Sequence, residues 1–284
     1  MPRLPLPALK PLLVRALAED LGRGDLTTRC LEIHGRAEAR LLAQAPGVAS
    51  GLALLQPLFA LLDRRIRVRL LARDGARVRP GQVLAVLDGP TPSLLAGERT
   101  ALNLVMHASG VATLTRRYVD AVRGTKAVIL DTRKTLPGLR LIEKHAVAMG
   151  GGRNHRLGLH DQVLIKNNHL ACLGHGIAGA VAQARERAGR AFIEVEARSL
   201  KDALAAAGAR PDAVLLDNFS VPALRAAVRA IRKRFPRRPL LEASGGITLE
   251  TLRAVARTGV DRISVGALTH SAPALPMALR LTPR

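Results

Sequence analysis

"AFIEVEARSLKDALAAAGARPDAVLLDN", Ala191–Asn218, is the stretch that decides the fold. Two apolar runs, "AFIEVEA" and "AVLLDN", flank "SLKDALAAAG", whose apolar positions recur at helical spacing. Strand, helix and strand in that order make a βαβ unit, and near-continuous apolar strands belong to a parallel sheet covered on both faces. The rhythm continues outward in both directions. "KAVILDT" and "QVLIKNN" precede this unit, and "PLLEASG" and "RISVGA" follow it, with helical patterns such as "TLETLRAVARTG" between strands. No nucleotide-binding glycine fingerprint follows the first of these strands, so a (β/α) barrel is predicted over a doubly wound sheet.

Every predicted strand ends in chemically active side chains. The first ends in Asp131, Thr132, Arg133 and Lys134, and the second in Lys166, Asn167, Asn168 and His169. The third carries Glu194 and Glu196, and the fourth ends in Asp217 and Asn218. The fifth runs through Glu242 into Ser244, Gly245 and Gly246, and the sixth through Ser264 into Val265, Gly266 and Ala267. Barrel sites are built from strand C-termini, so these residues form a ring around one mouth.

Their chemistry falls into three groups. Arg133, Lys134 and Lys166, with His155 and Arg156 of the "GGRNHR" loop, are cations suited to carboxylates and phosphates, and they would repel one another without an anion between them. Glu194 and Glu196 alternate with Ile193 and Val195, which places both carboxylates on the lumen face with Asp217 as neighbour. Oxygen ligands of this kind suit Mg²⁺ together with substrate phosphates; internal ion pairs to the same cations are the competing reading, and both can hold. The glycine-flanked pair "SGGI" and "SVGA" offers backbone N–H groups to a phosphate, with Thr248 starting a helix after the first loop. Such a site binds phosphorylated, multiply anionic reactants by charge and position. No Ser-His-Asp pattern is present, and Cys172 has no evident activating partner.

Upstream the texture differs. Residues 1–111 are predicted as a separate α/β domain of short strands joined by Gly and Pro turns, and 112–271 as the barrel, with the tail 272–284 packing back on the first domain. "DGARVRPGQVLAVLDG", Asp74–Gly89, resembles the turn pattern of biotinyl and lipoyl carriers. No lysine lies between Lys10 and Lys126, so it is predicted to be scaffold. Thr91 and Pro92 open a helix on which Arg99, Asn103 and His107 form one polar stripe, readable as a solvated face. Gly150–Gly152 reads as a helix C-cap.

The 284 residues carry 44 Lys+Arg against 22 Asp+Glu, a formal net charge of +22, which predicts anionic partners. Aromatics are only 2%, too few for the stacking platform of a single-strand nucleic-acid binder, so nucleic acid is not expected as a partner. Much of the surplus also fits solvated helix faces such as "RAIRKRFPRR". The two distant cysteines suit a reducing, cytoplasmic setting, the proline-broken opening reads as no secretory leader, and no apolar run reaches a membrane span.

Read in order, "EDLGRGDLTT", "GERTALNLVMHASGVAT", "DTRKTLPGLR", "KHAVAMGGGRNHRLGLHDQVLIKNNH", "IEVEARSL", "LLDN", "EASGGI" and "GVDRISVGALTHS" resemble the quinolinate phosphoribosyltransferases from Glu19 to Ser271. The resemblance implies an open (β/α) barrel beside an N-terminal α/β sandwich domain. It implies conversion of quinolinate and phosphoribosyl pyrophosphate, with Mg²⁺, to nicotinate mononucleotide, pyrophosphate and CO₂ in NAD biosynthesis. It also implies a homodimer, or a higher oligomer built from it, in which Arg99 reaches the partner's site. By the same resemblance Thr132, Arg133, Lys134, His155, Arg156 and Lys166 meet substrate, and Glu196 and Asp217 serve the ribose and Mg²⁺. The catalytic set the resemblance implies is Lys134, Lys166, Glu196 and Asp217. Ser244, Gly245, Gly246, Val265, Gly266 and Ala267 hold the 5′-phosphate. His145 and Asn167 depart from the pattern, where a tyrosine and an acid are expected. Lys166 argues against a related pyrophosphorylase group of molybdenum-transport operons, which is expected to lack it.

Overall fold

The computed structural model describes residues 4–284; the first three residues of the proline-broken opening lie outside them. The chain forms two compact units: Met1–Arg116 with Thr135–Gly151 and Leu268–Arg284, and Arg117–Lys134 with Gly152–Ala267. The sequence-derived cut at 111/112 is drawn differently here, because 135–151 groups with the N-terminal segment; 268–284 falls there too, where the tail 272–284 was expected.

In the first unit, strands β1 (Arg36–Ala43), β2 (Gly47–Val48), β3 (Arg67–Leu70), β4 (Arg77–Val78) and β5 (Val83–Pro90) precede the long helix Thr91–Ala121. β1 is flanked by β5 and by the C-terminal strand Met277–Pro283, all antiparallel, with β3 on the far side of β5. Ala37, Ala39, Leu41 and Ala43 of β1 are buried while the residues between them face outward, the alternation of a half-solvated sheet. Helix Arg140–Met149 ends at Gly150, whose built Cβ would lie 2.4 Å from the Ala112 carbonyl, so only glycine permits that approach.

This unit buries polar groups in pairs. His145 Nε2 lies 2.9 Å from Asp74 Oδ2, while Asp74 Oδ1 accepts from the Leu52 N–H at 3.0 Å. The carrier-like turn thus supplies a structural anchor. His107 Nε2 meets the fully buried Glu143 Oε1 at 2.9 Å, and Glu143 Oε2 accepts from the Leu136 N–H. The helical stripe is therefore mixed: Arg99 and Asn103 are exposed, but His107 is half-buried and bonded.

The second unit contains β6 (Val128–Leu130), β7 (Val163–Ile165), β8 (Ile193–Ala197), β9 (Ala213–Asp217), β10 (Leu240–Ser244) and β11 (Arg262–Ser264), a parallel sheet ordered β6-β11-β10-β9-β8-β7. Five strands follow one another around the sheet with the first, β6, beyond the last, which is the arrangement of an open (β/α) barrel. Helices are started by local chemistry. Ser199 caps Leu200–Gly208 by accepting from the Asp202 N–H, and Ala203, Ala206 and Ala207 are its buried stripe. Ser220 caps Val221–Arg234, which buries Leu224, Ala227, Val228 and Ile231 and ends in Arg232, Lys233 and Arg234, cations that suit the negative helix terminus. Among the described residues, no helix is long and apolar enough to cross a membrane.

Candidate active site

The second unit gathers all the sequence-derived site residues except Arg99, which is exposed on the helix Thr91–Ala121 in the first. Beyond β6 the chain makes a tight turn in which the Thr132 hydroxyl accepts from the Lys134 N–H at 2.9 Å, presenting Arg133 between them. The "RNH" segment docks beside β6: the Arg153 N–H donates to the Ile129 carbonyl, and the Asp131 N–H to the Arg153 carbonyl. Asp131, fully buried, accepts from the His155 N–H at 2.8 Å.

Arg156 is only 7% exposed. Burial, and next the nearby Arg133 charge, push its guanidinium below the ordinary arginine range, with Asp161 and Glu194 acting in the opposite direction. Two guanidinium groups are thus held within electrostatic reach of each other. The loop after Arg156 is closed by Asp161, which accepts from the N–H groups of Leu157 and Gly158.

At the rim, Lys166 Nζ lies 4.0 Å from Glu196 Oε2. His169 Nδ1 accepts from the Lys166 N–H at 2.9 Å and starts the short helix behind it. Arg198, absent from the sequence-derived set, lies 3.3 Å from Glu196 and 3.6 Å from Asp217. Its signal was weak: it stands two residues beyond Glu196 but past the end of β8 at Ala197.

Glu194 and Glu196 occupy different depths. β8 pairs Glu194 with Ala213 near the start of β9, and Glu196 with Leu215 further on. Glu194 is 1% exposed and Glu242, on β10, is fully buried. Burial raises both above the ordinary carboxylate range, and for Glu242 the Glu194 charge adds to the rise. The Arg262 charge, near the N-terminal end of the barrel and 4.9 Å from the Phe192 ring centre, offsets part of the shift in each. Between these two carboxyls stands His155, its Nε2 2.8 Å from Glu194 Oε2 and 3.6 Å from Glu242 Oε1.

Two sets of side chains have the donors for a cation. Glu196 and Asp217 form an all-oxygen pair that one cationic group, the Arg198 guanidinium, reaches simultaneously. His155, Glu194 and Glu242 present ligand atoms within 4.8 Å of one another.

The glycine loops lie side by side because β10 and β11 are adjacent. Gly245 has φ +96°, and a Cβ there would lie 2.1 Å from Asn218 Oδ1, so the backbone conformation and the packing both require glycine. The Asn218 N–H donates to the Ser244 carbonyl and the Val265 N–H to the Leu130 carbonyl, tying strand ends around the mouth.

The fold and this mouth define an α/β barrel protein whose strand ends carry cations, paired carboxylates and glycine-flanked amides. Residues 111–280 match the family described as quinolinate phosphoribosyl transferase, C-terminal domain, and residues 25–109 match its N-terminal domain. The chain is 45% identical over 280 residues to the nicotinate-nucleotide pyrophosphorylase [carboxylating] of Mycobacterium leprae, covering 96% of this chain and 97% of that one. It is 42% identical over 275 residues to the probable enzyme of the same name in Bacillus subtilis, covering 96% and 93%. The solved nicotinate-nucleotide pyrophosphorylase of Francisella tularensis superposes with a TM-score of 0.93 at 36% identity, over 99% of this chain and 98% of that one. The chain belongs to the quinolinate phosphoribosyltransferase family.

Proposed function

We propose that this protein converts quinolinate and phosphoribosyl pyrophosphate to nicotinate mononucleotide, pyrophosphate and CO₂, a step of NAD biosynthesis. The observation that carries this reading is Arg156, only 7% exposed, on the segment docked beside the strand whose end carries Arg133. A substrate bearing two adjacent carboxylates neutralises both and takes planar hydrogen bonds from each.

Glu196 and Asp217 are the residues that would hold Mg²⁺, since a single cation already spans them and both offer only oxygen. Bound there, the ion would neutralise charge developing on the leaving pyrophosphate. Lys134 and Lys166 add fixed positive charge on the same side. The backbone of Ser244–Gly246 and of Gly266 and Ala267 would hold the 5′-phosphate, so that the ribose C1′ faces the pyridine nitrogen; the Val265 N–H, expected to join them, is instead spent on the Leu130 carbonyl. Thr132 sets the turn that aims Arg133.

As the C1′–pyrophosphate bond breaks, the pyridine nitrogen bonds to an oxocarbenium-like C1′. The quaternised ring then accepts the electron pair of the C2–carboxylate bond, CO₂ departs, and a proton from solvent fills C2. Glu196 stabilises positive charge on the ribose. A homodimer would bring Arg99, exposed on its helix, to the partner's substrate as a further cation.

The test is release of CO₂ and pyrophosphate by the purified protein given both substrates and Mg²⁺, with nicotinate replacing quinolinate as control. Turnover with quinolinate alone supports the reading. Turnover with nicotinate, or with neither, overturns it.

A further inference from the structure

His155 accepts the N–H of Arg156 on its Nδ1 at 2.8 Å. A nitrogen that accepts carries no proton, so the ring proton resides on Nε2 and is donated to Glu194 at 2.8 Å. Both ring nitrogens are therefore engaged inside the protein. The residue's own backbone N–H is engaged too, by Asp131. Asp131 stands two positions before Arg133, and the imidazole bonds the backbone of Arg156 itself. His155 thus links the two segments that carry the mutually repelling guanidinium groups, and it is anchored in turn to a carboxyl at the level of the barrel core.

We propose that Glu194 acts through His155 as a positioning residue that holds Arg156 in register with Arg133, and that His155 is an internal strut and not a substrate ligand. Two like charges beside each other drift apart unless something fixed opposes them. Here the opposing element is a chain of short hydrogen bonds inside low-dielectric packing, where such bonds are strongest. The assignment replaces the substrate contact that family resemblance implies for His155. It rests on the functional reading above for what the two arginines grip, but not for the state of the ring.

Two measurements test it. The first is the ¹⁵N spectrum of the His155 ring in the native protein without substrate. A protonated Nε2 and an unprotonated Nδ1 are expected; a protonated Nδ1 overturns the strut. The second compares Glu194→Met, which keeps volume but removes the acceptor, with Glu194→Gln, which keeps an acceptor for Nε2–H. Glu194→Met is expected to raise the quinolinate KM about tenfold, the size seen when outer-shell partners are removed, with the phosphoribosyl pyrophosphate KM unmoved. Glu194→Gln is expected to recover most of that loss. Equal quinolinate KM in both variants, or a parallel rise for both substrates, overturns the proposal. Should Glu194→Met not fold, His155→Gln, which keeps a donor toward Glu194 but not the Nδ1 acceptor, is expected to give the same selective rise, and no selective rise overturns it. A protein with the expected ring state that ignores quinolinate would sink the functional reading and leave the strut intact.

Discussion

Two depths of one barrel lumen use charge in different ways. At the rim, Glu196 and Asp217 face cations that are themselves half or more exposed, the Lys166 side chain at 50% and Arg198 at 61%. One layer down, Glu194 and Glu242 are closed off from solvent, converge on the His155 imidazole and feel the Arg262 charge. The rim carboxylates are themselves little exposed, Glu196 at 7% and Asp217 at 16%, but their partner cations, 3.3–4.0 Å away, reach solvent and can give way to another cation. The deep set is dry and holds one short contact, His155 to Glu194 at 2.8 Å, and burial pushes both its carboxyls toward the protonated form. Exchangeable charge suits binding, and fixed, desolvated charge suits holding a shape. Substitutions at the rim should therefore cost activity and spare the fold, while those in the deep layer should show in stability and its pH dependence.

The largest effect is expected from Arg133→Ala or Lys166→Ala. Either should lower kcat/KM by about 100-fold or more, the scale of losing one preorganised charge contact in an active site. For Lys166→Ala the melting temperature should stay within about 2 °C, since an exposed charge contributes little to stability. Near-native rates in a folded variant would remove that residue from the site; a large fall in melting temperature would erase the contrast between layers.

Next are Glu196→Gln and Asp217→Asn, each expected to weaken Mn²⁺ or Mg²⁺ binding about tenfold or more, read by titration of the ion with and without pyrophosphate. Unchanged ion affinity in both variants would move the metal elsewhere, with the deep set as the alternative.

Glu242→Gln probes the deep layer. Burial raises the folded-state value of Glu242 from 4.5 to about 8. The folded protein thus keeps a proton that the unfolded chain releases, so this contribution to stability is complete below the unfolded value and is lost as pH rises toward 8. Glutamine fixes the neutral state. The variant should melt above the native protein at pH 8, with the gap closing by pH 5. A gap independent of pH, or larger in acid, would contradict this.

The smallest effect is expected from Arg198→Ala. Removing an exposed competing cation should tighten divalent-ion binding by about two- to fivefold, in keeping with the modest energy of an exposed ion pair. Weaker ion binding in this variant would mean that Arg198 supports the carboxylates and does not compete for them.

The barrel was legible in the sequence because its strands are near-continuous apolar runs and its helices announce their starts at Ser199, Ser220 and Thr248. The ring of strand-end chemistry was legible for the same reason, since strand ends were visible. Depth was not. A period of two assigns Glu194 and Glu196 to one face but cannot say that one is core and the other rim; only their pairing with Ala213 and Leu215 separates them. Arg198 lies just beyond the strand, where the period of two no longer fixes its face. His107 read as part of a solvated stripe because its partner, Glu143, is 36 residues away. The grouping of 135–151 with the N-terminal segment is a packing result with no local signal.

The account turns on a two-carboxylate receptor made by Arg133 and Arg156, and equilibrium binding tests it most directly. Calorimetry of quinolinate and of nicotinate should show the native protein preferring the dicarboxylate by about tenfold or more, a difference of about 1.4 kcal/mol, and Arg133→Ala losing that preference. Equal binding of both acids, or a preference that survives Arg133→Ala, would contradict it.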